Sequence, residues 1–171
     1  LLFVLYRAPL FNVIAQHQVD AHQYADDLQL YLCLPPSEAL VATDRLDACL
    51  VDVEARLKAS RLRLNPGKTQ IMWLGSAQQL AKVRIDEVPV LSSRVRIVDE
   101  ARNLGVVVDS QLSMSAQVAA VCRGGYYQLR QLRPLKRCMT PEAINTLTHA
   151  FISSRLDYCN VLYCGIAERL L

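Results

Sequence analysis

The stretch HQYADDLQLYL, residues 22–32, places the strongest constraint on the fold. In residues 28–33 leucines alternate with more polar residues, which is the period of a half-buried β-strand. A second strand-like run, residues 19–23, precedes this one, so the two predict a β-hairpin with Asp26 and Asp27 at its tip. Adjacent carboxylates repel each other, and the tip is therefore either a solvated turn or a site that holds a cation.

A helical period follows the hairpin. Residues 38–62 carry one apolar stripe at spacings of four, three and four, formed by Leu46, Leu50, Val53 and Leu57. This helix must bury its stripe, and the sheet that contains the hairpin is the nearest candidate surface. Further strands are predicted at residues 68–74, 83–85, 88–91, 95–98 and 103–109. Further helices are predicted at residues 112–132, where Gly124 and Gly125 favour a break or bend, at residues 140–154, with Thr140 as N-cap and Pro141 as first helical residue, and in the C-terminal tail.

This order of elements predicts an α+β fold. Residues 1–110 form an antiparallel sheet with a packed helix, and residues 111–171 form a helical region. Hydrophobic residues make up 52% of the chain and charged residues 20%, so the chain can build a core and is not a disordered tail. The net charge of +3 is compatible with a polyanionic partner without demonstrating one.

Two other classes are excluded by the same composition. No apolar run reaches the roughly 18 residues of a membrane span, so no membrane partner is predicted. The six cysteines include no Cys-x-x-Cys pair and have no histidine at zinc-finger spacing. We interpret them as scattered, reduced thiols in the core of an intracellular protein.

Four residues change the interpretation of the aspartate pair. YADD between two strands resembles the metal-binding hairpin of reverse transcriptases, and further blocks follow in the order found in the enzymes of non-long-terminal-repeat (LINE-type) retrotransposons. LNPGKTQIMWLG resembles the motif after the palm helix, RNLGVVVDSQLSM is similar to an LG-x-x-x-D-x-x-L block, and SSRLDYCNVLYCG resembles a phrase of the thumb. LLFVLYRAPL looks like the tail of the helix before the hairpin. The resemblance covers essentially the whole chain and implies part of a palm over residues 1–110 and of a thumb over residues 111–171.

The resemblance implies an RNA-directed DNA polymerase with two Mg²⁺ ions, for which Mn²⁺ can substitute. Its partners would be an RNA template, a DNA primer and deoxynucleoside triphosphates. Asp26 would be the principal metal ligand, Asp27 its weaker companion, and Tyr24 a support near the primer end. Lys68 would lie near the triphosphate as a proton donor to pyrophosphate; the alternative is a surface lysine after a turn.

Other residues are candidate nucleic-acid contacts. The resemblance places the 103–109 strand, with Asn103 and Gly105, in the hairpin that grips the primer, and Gly105 permits a bulge or a close backbone approach. A basic cluster would contact primer–template phosphates, or else form a solvated helix face: Arg123, Arg130, Arg133, Lys136 and Arg137. The aromatic residues Trp73, Tyr126 and Tyr127 either stack on bases or pack between sheet and helices.

The resemblance also implies that something is missing. The family's other catalytic Asp lies upstream in an earlier palm strand, so we expect a fragment that is inactive alone and needs the N-terminal part of the same polypeptide. One alternative is a non-catalytic nucleic-acid-binding relic of a decayed element, and a more remote one is a metal protein unrelated to polymerases. The expected location is the nucleus and cytoplasm of the host cell.

Overall fold

The first helix, α1, spans Leu2–Gln16 and leads directly into the first hairpin. The computed structural model describes the backbone of residues 2–167 and the side chains of residues 9–167. Leu10 and Ile14, one turn apart, are buried on the same face of α1. Gln18, with φ +54°, then turns the chain out of the helix. The opening residues are therefore helical, as the sequence predicted.

The predicted hairpin and the helix that covers it are both confirmed. β1 (Asp20–Tyr24) pairs antiparallel with β2 (Asp27–Tyr31), and α2 spans Ala39–Ala59 after a 3₁₀ turn. Along the predicted stripe Leu50 and Val53 are buried, and the other two leucines are partly buried. The core beneath the hairpin comprises Leu10, Ile14, Val19, Cys49 and Val53. Of the six cysteines, all of which lie among the described residues, Cys49 alone is buried, so the prediction of core thiols is wrong for the other five.

One polar contact joins the end of α1 to α2. His17 Nε2 lies 2.8 Å from Asp52 Oδ2. Because the Asp52 carboxylate is largely exposed, such a pair contributes at most about 1 kcal/mol. His17 is thus a polar residue with a satisfied hydrogen bond.

The strand predicted at residues 68–74 is wrong. The backbone N–H groups of Lys68 and Thr69 both donate to the Asn65 carbonyl, so the turn extends to Thr69. After it, Ile71 forms one isolated parallel bridge with Ile97. The strand predicted at residues 83–85 is also wrong, because this segment follows the short helix α3 (Ala77–Leu80) as a loop.

The next two predicted strands are confirmed with small shifts. β3 (Glu87–Val90) pairs antiparallel with β4 (Ser93–Arg96), and Val88 lies opposite Val95. Val88 and Val90 are each 1% exposed, and β3 packs against α2. Alternate residues of β3 are therefore core residues of the first compact unit, which ends at Val98.

The second compact unit begins at Asp99, whereas the sequence placed the boundary after residue 110. Its first element is a hairpin, β5 (Glu100–Asn103) with β6 (Val106–Asp109), where the sequence predicted a single strand over residues 103–109. The hairpin belongs with the helices because the Val107 N–H donates to Gln117 Oε1 at 2.8 Å. The assignment of the two parts to a palm and a thumb stays a prediction.

Helices complete the second unit. α4 spans Ser115–Leu135 without a break at its two central glycines, and α5 spans Pro141–Thr148. Thr140 caps α5 by accepting a hydrogen bond from the Ala143 N–H, as predicted. A π-helical turn connects α5 to the short α6 (Ser154–Asp157).

The helix predicted for the C-terminal tail is wrong where it can be assessed. After α6 the chain forms only a 3₁₀ segment, Asn160–Tyr163, and the last part of the prediction, residues 168–171, lies outside the described residues. Within residues 2–167 the sheets are three antiparallel pairs, so the predicted α+β class is confirmed. Among these residues no helix has the length and apolar character needed to cross a bilayer.

The two glycines inside α4 provide a matched test of its packing. A Cβ at Gly125 would meet nothing within 4 Å, whereas one at Gly124 would lie 3.3 Å from Arg155 Nη1. We expect Gly125→Ala to raise the free energy of unfolding by about 0.5–1 kcal/mol, because alanine restricts the unfolded chain and favours helix. Gly124→Ala should gain less, since Arg155 must move. Urea unfolding followed by circular dichroism measures both; equal gains would contradict this packing.

Candidate active site at the first hairpin

The aspartate pair lies at a two-residue turn. Tyr24 pairs with Asp27, so Ala25 and Asp26 form the turn and Asp27 begins β2. Ala25 has φ +51°, a left-handed conformation that costs an L-residue about 1–2 kcal/mol. Such strain persists only where the surrounding structure enforces it, so the conformation of this tip is imposed by the hairpin rather than by local preference.

The hairpin has one apolar face and one polar face. Ala21, Leu28 and Leu30 pack against the core formed by α1 and α2. The opposite face follows from the register: cross-strand partners point to the same side, which places Tyr24 beside Asp27. Because the apolar face packs on this core, the polar face and the tip of the hairpin face solvent.

Both carboxylates of the tip are exposed. They are hard oxygen donors, and Mg²⁺ characteristically takes one or two protein carboxylates together with waters and substrate phosphates. Among the residues that the structure describes, no group of three or more metal-ligating side chains occurs. Asp20 cannot complete the site from within the hairpin, because it pairs with Tyr31 at the other end, about 13 Å along the strand. The pair therefore fits part of a magnesium shell.

Gln23 is a residue of this site that the sequence reading missed. Its Nε2 lies 3.5 Å from the Ala25 carbonyl, where it donates to the turn, and its Oε1 is buried without a hydrogen-bond partner. Gln23 pairs with Leu28, so it lies on the apolar face. A polar residue at an inward position of a period-two strand was the available signal, since buried amides need a partner.

The structure does not join the other predicted catalytic residue to the tip. Lys68 is exposed in the turn that starts at Asn65, and its backbone N–H donates to the Asn65 carbonyl at 3.0 Å. Among residues 9–167 no ion pair links its ammonium group to Asp26 or Asp27. Its role near a triphosphate stays a prediction.

Gly105, which the sequence predicts as a nucleic-acid contact, lies in a turn that explains why a glycine occurs there. Leu104 and Gly105 form the β5–β6 turn with φ values of +46° and +88°. The Tyr158 hydroxyl donates to the Leu104 carbonyl at 2.6 Å, and its ring would lie 3.4 Å from a Cβ at Gly105. The positive φ is what favours glycine here, since a Cβ would make only an ordinary van der Waals contact with the ring. This contact joins two of the blocks that the sequence showed separately; Asn103, at the end of β5, is exposed.

Asp109, the aspartate of the LG-x-x-x-D block, organises the loop before α4. Its Oδ1 accepts from the N–H groups of Gln111 and Ser113, and its Oδ2 accepts from the Ser113 hydroxyl. Partial burial alone would raise the pKa of this carboxyl. Hydrogen bonds from Ser113, Gln111 and Met114 outweigh the burial and lower the pKa below its ordinary value of 3.8.

The predicted basic cluster lies on one exposed side of the second unit. Arg123, Arg130 and Arg133 are exposed on α4, and Arg137 follows in a 3₁₀ turn. Between Ser110 and Pro141 the sequence holds five cationic side chains and no acidic one. Trp73, by contrast, is partly buried, and its Nε1 has no hydrogen-bond partner, so packing describes it better than base stacking.

Comparison with known proteins identifies the family of the chain. Residues 1–108 match the family described as reverse transcriptase (RNA-dependent DNA polymerase), a span that includes the whole first hairpin. The chain therefore belongs to the reverse transcriptase family, whose members are RNA-directed DNA polymerases. No curated protein and no solved structure matches the chain.

The hydrogen bonds of Asp109 predict a pH-dependent contribution to stability. Because the folded pKa lies below the unfolded one, the stabilisation is complete above about pH 4 and is lost as pH falls through the folded pKa. Asp109→Ala should lower the free energy of unfolding by about 1–2 kcal/mol near neutral pH, and the deficit should shrink at acidic pH. Urea unfolding across this range measures it. Asp99→Ala, which removes an exposed carboxylate, is the control; a deficit independent of pH would contradict the assignment.

Proposed function

We propose that the chain is the C-terminal part of the palm and part of the thumb of a reverse transcriptase from a non-long-terminal-repeat retrotransposon. The observation that carries the proposal is the hairpin tip, where Asp26 and Asp27 are held outward on a fixed apolar floor within the segment that matches the family. The order of the sequence blocks after the hairpin supports the LINE-type lineage.

The predicted site residues have different roles in this proposal. Asp26 and Asp27 hold the divalent cation, Mg²⁺ or Mn²⁺, with Asp26 as principal ligand. When bound, the cation stabilises negative charge on the phosphates of the triphosphate during nucleotidyl transfer. Tyr24, beside Asp27 on the exposed face, supports the primer end, and Lys68 protonates the departing pyrophosphate.

The remaining part of the shell is proposed to come from the N-terminal part of the same polypeptide. Two carboxylates at one tip hold a cation weakly, because they supply only part of its octahedral oxygen shell and Mg²⁺ gives up its waters reluctantly. We therefore propose that this chain alone does not extend a primer. The RNA template and DNA primer lie along the basic cluster, in the nucleus and cytoplasm of the host cell.

A second candidate function is a nucleic-acid-binding relic without catalysis. Two observations favour it. Among the residues described, the tip has only two carboxylates and so an incomplete metal shell. The basic cluster, in contrast, needs no further residues to attract phosphates. The reading frame upstream distinguishes the candidates: an open frame that encodes the second palm Asp supports the enzyme, and stops or frameshifts support the relic.

Cation binding at the tip is testable on this chain. Mn²⁺ titrated into the labelled protein should broaden the amide resonances of residues 25–28 first, because the carboxylates that attract it are there. Asp26→Asn should remove most of this broadening. Asp20→Asn removes an equal charge at the far end of the same hairpin and should leave it unchanged. Broadening that is centred on Asp20, or that survives Asp26→Asn, would contradict the assignment of the ligand.

Primer extension tests the catalytic role. In the complete enzyme, Asp26→Asn should abolish nucleotide addition with Mg²⁺, since an anionic ligand is lost where charge holds the cation. Asp27→Asn should retain more activity, and Asp20→Asn should retain all of it. The 171-residue chain alone should show no extension with Mg²⁺ or Mn²⁺. Extension by the chain that Asp26→Asn eliminates would show that a full active site lies within these residues.

A further inference from the structure

α4 presents two opposite faces. The side toward its own unit carries Gln117, which is buried, and Gly124, which lies against Arg155. The opposite side contains a shallow depression of about 540 Å³ lined by Ala119, Cys122, Arg123, Tyr126, Tyr127 and Arg130. These positions recur at three- and four-residue spacings, so they form one stripe along the helix. We call this stripe the Arg/Tyr face.

The two tyrosines of the Arg/Tyr face are unusually open for large aromatic side chains. Tyr126 is 72% exposed and Tyr127 is 60% exposed. A single exposed apolar residue needs no explanation, but here two adjacent rings lie between Arg123 and Arg130 in one depression. Packing between sheet and helices, the alternative that the sequence left open, does not account for them.

The charges of the face select an anionic partner. The segment between Ser110 and Pro141 contains five Lys and Arg residues, of which Arg123 and Arg130 lie on the Arg/Tyr face, and no Asp or Glu. Arg123 and Arg130 are about 10 Å apart along the helix, which is close to the rise of roughly three stacked nucleotides. Cations that track a backbone, combined with rings that are free to stack, form the chemistry by which proteins bind single-stranded nucleic acid.

We propose that the Arg/Tyr face binds single-stranded nucleic acid, with Arg123 and Arg130 on phosphates and Tyr126 and Tyr127 stacked on unpaired bases. The inference rests on the proposed function for the class of its partner and adds the strand state that α4 recognises. A duplex offers the same phosphates, but its bases are already stacked on one another and are not open to the rings. The arginines should therefore serve both kinds of strand, and the tyrosines only the single strand.

The test measures binding of fluorescent oligonucleotides of about 12 nucleotides to the 171-residue chain by anisotropy. The probes are oligo(dT), oligo(U) and a mixed-sequence DNA duplex. Changing Tyr126 and Tyr127 together to Ala should weaken single-strand binding about 30-fold or more, and duplex binding less than about threefold. A loss in either single-strand arm supports the proposal and identifies DNA or RNA as the ligand. The proposal is overturned if neither oligo(dT) nor oligo(U) binds more weakly to the alanine variant. It is also overturned if the unsubstituted chain binds no single strand.

Two controls separate stacking from other roles. Tyr126→Phe with Tyr127→Phe keeps both rings and should bind like the unsubstituted chain; a loss as large as that of the alanine pair overturns stacking. Leu135→Ala truncates an exposed residue on the opposite side of α4 and should leave binding unchanged. A comparable loss there would show that the effect is not specific to the Arg/Tyr face. Circular dichroism verifies that each variant is folded.

The salt dependence separates failure of this inference from failure of the proposed function. Arg123→Gln with Arg130→Gln should reduce the slope of log affinity against log salt by about 1.4 for single strands, about 0.7 for each lost phosphate contact. The tyrosine variants should leave the slope unchanged. If the arginine pair changes the slope and the tyrosine pair has no effect, stacking is overturned and nucleic acid remains the partner. If neither pair has an effect, α4 has no nucleic-acid role.

Discussion

The apolar packing beneath the first hairpin is the interaction on which the candidate site depends. Leu10 and Ile14 from α1 and Val53 from α2 form a floor for the apolar side of the two strands. Each such side chain contributes about 1.5–3 kcal/mol when it is fully buried. A two-stranded hairpin is only marginally stable alone in water, so this floor is what gives the tip a fixed position. The strained Ala25 and the exposed aspartates are consequences of that support.

The elements around the site were predictable because their patterns are local. Period two in residues 28–33 and the apolar spacing of α2 each reflect one face of one element, and both appear directly in the sequence. Thr140 and Pro141 marked the start of α5 for the same reason. Asp26 and Asp27 are predicted as site residues from YADD in its hairpin context, which no single residue of the four provides.

What the sequence could not show depends on contacts between distant segments. Residues 68–74 have strand-forming side chains, but only Ile71 finds a partner, Ile97, so no ladder forms. Glycine at position 105 predicts a bulge or a close backbone approach, but nothing local indicates that Tyr158, 53 positions later in the chain, is the residue that approaches. The boundary between the units lies after Val98 rather than after residue 110 for a similar reason, because the Gln117 side chain hydrogen-bonds β6 to the helix that follows. Predictions from sequence patterns were correct within single helices and strands, and wrong where the partner of a segment lies far away in the sequence.

The complete burial of Cys49 makes the floor of the hairpin observable. This residue belongs to the same core cluster as Val53, and burial, with a smaller contribution from the Asp52 charge, raises the pKa of its thiol to about 11. The reactive thiolate of Cys49 is therefore almost absent while the unit is closed, whereas four of the other cysteines are exposed. Modification of Cys49 requires the floor to separate, so the rate at which this thiol is trapped counts local openings beneath the tip. The rate of Cys49 modification therefore reports how often the packing beneath the aspartate pair opens.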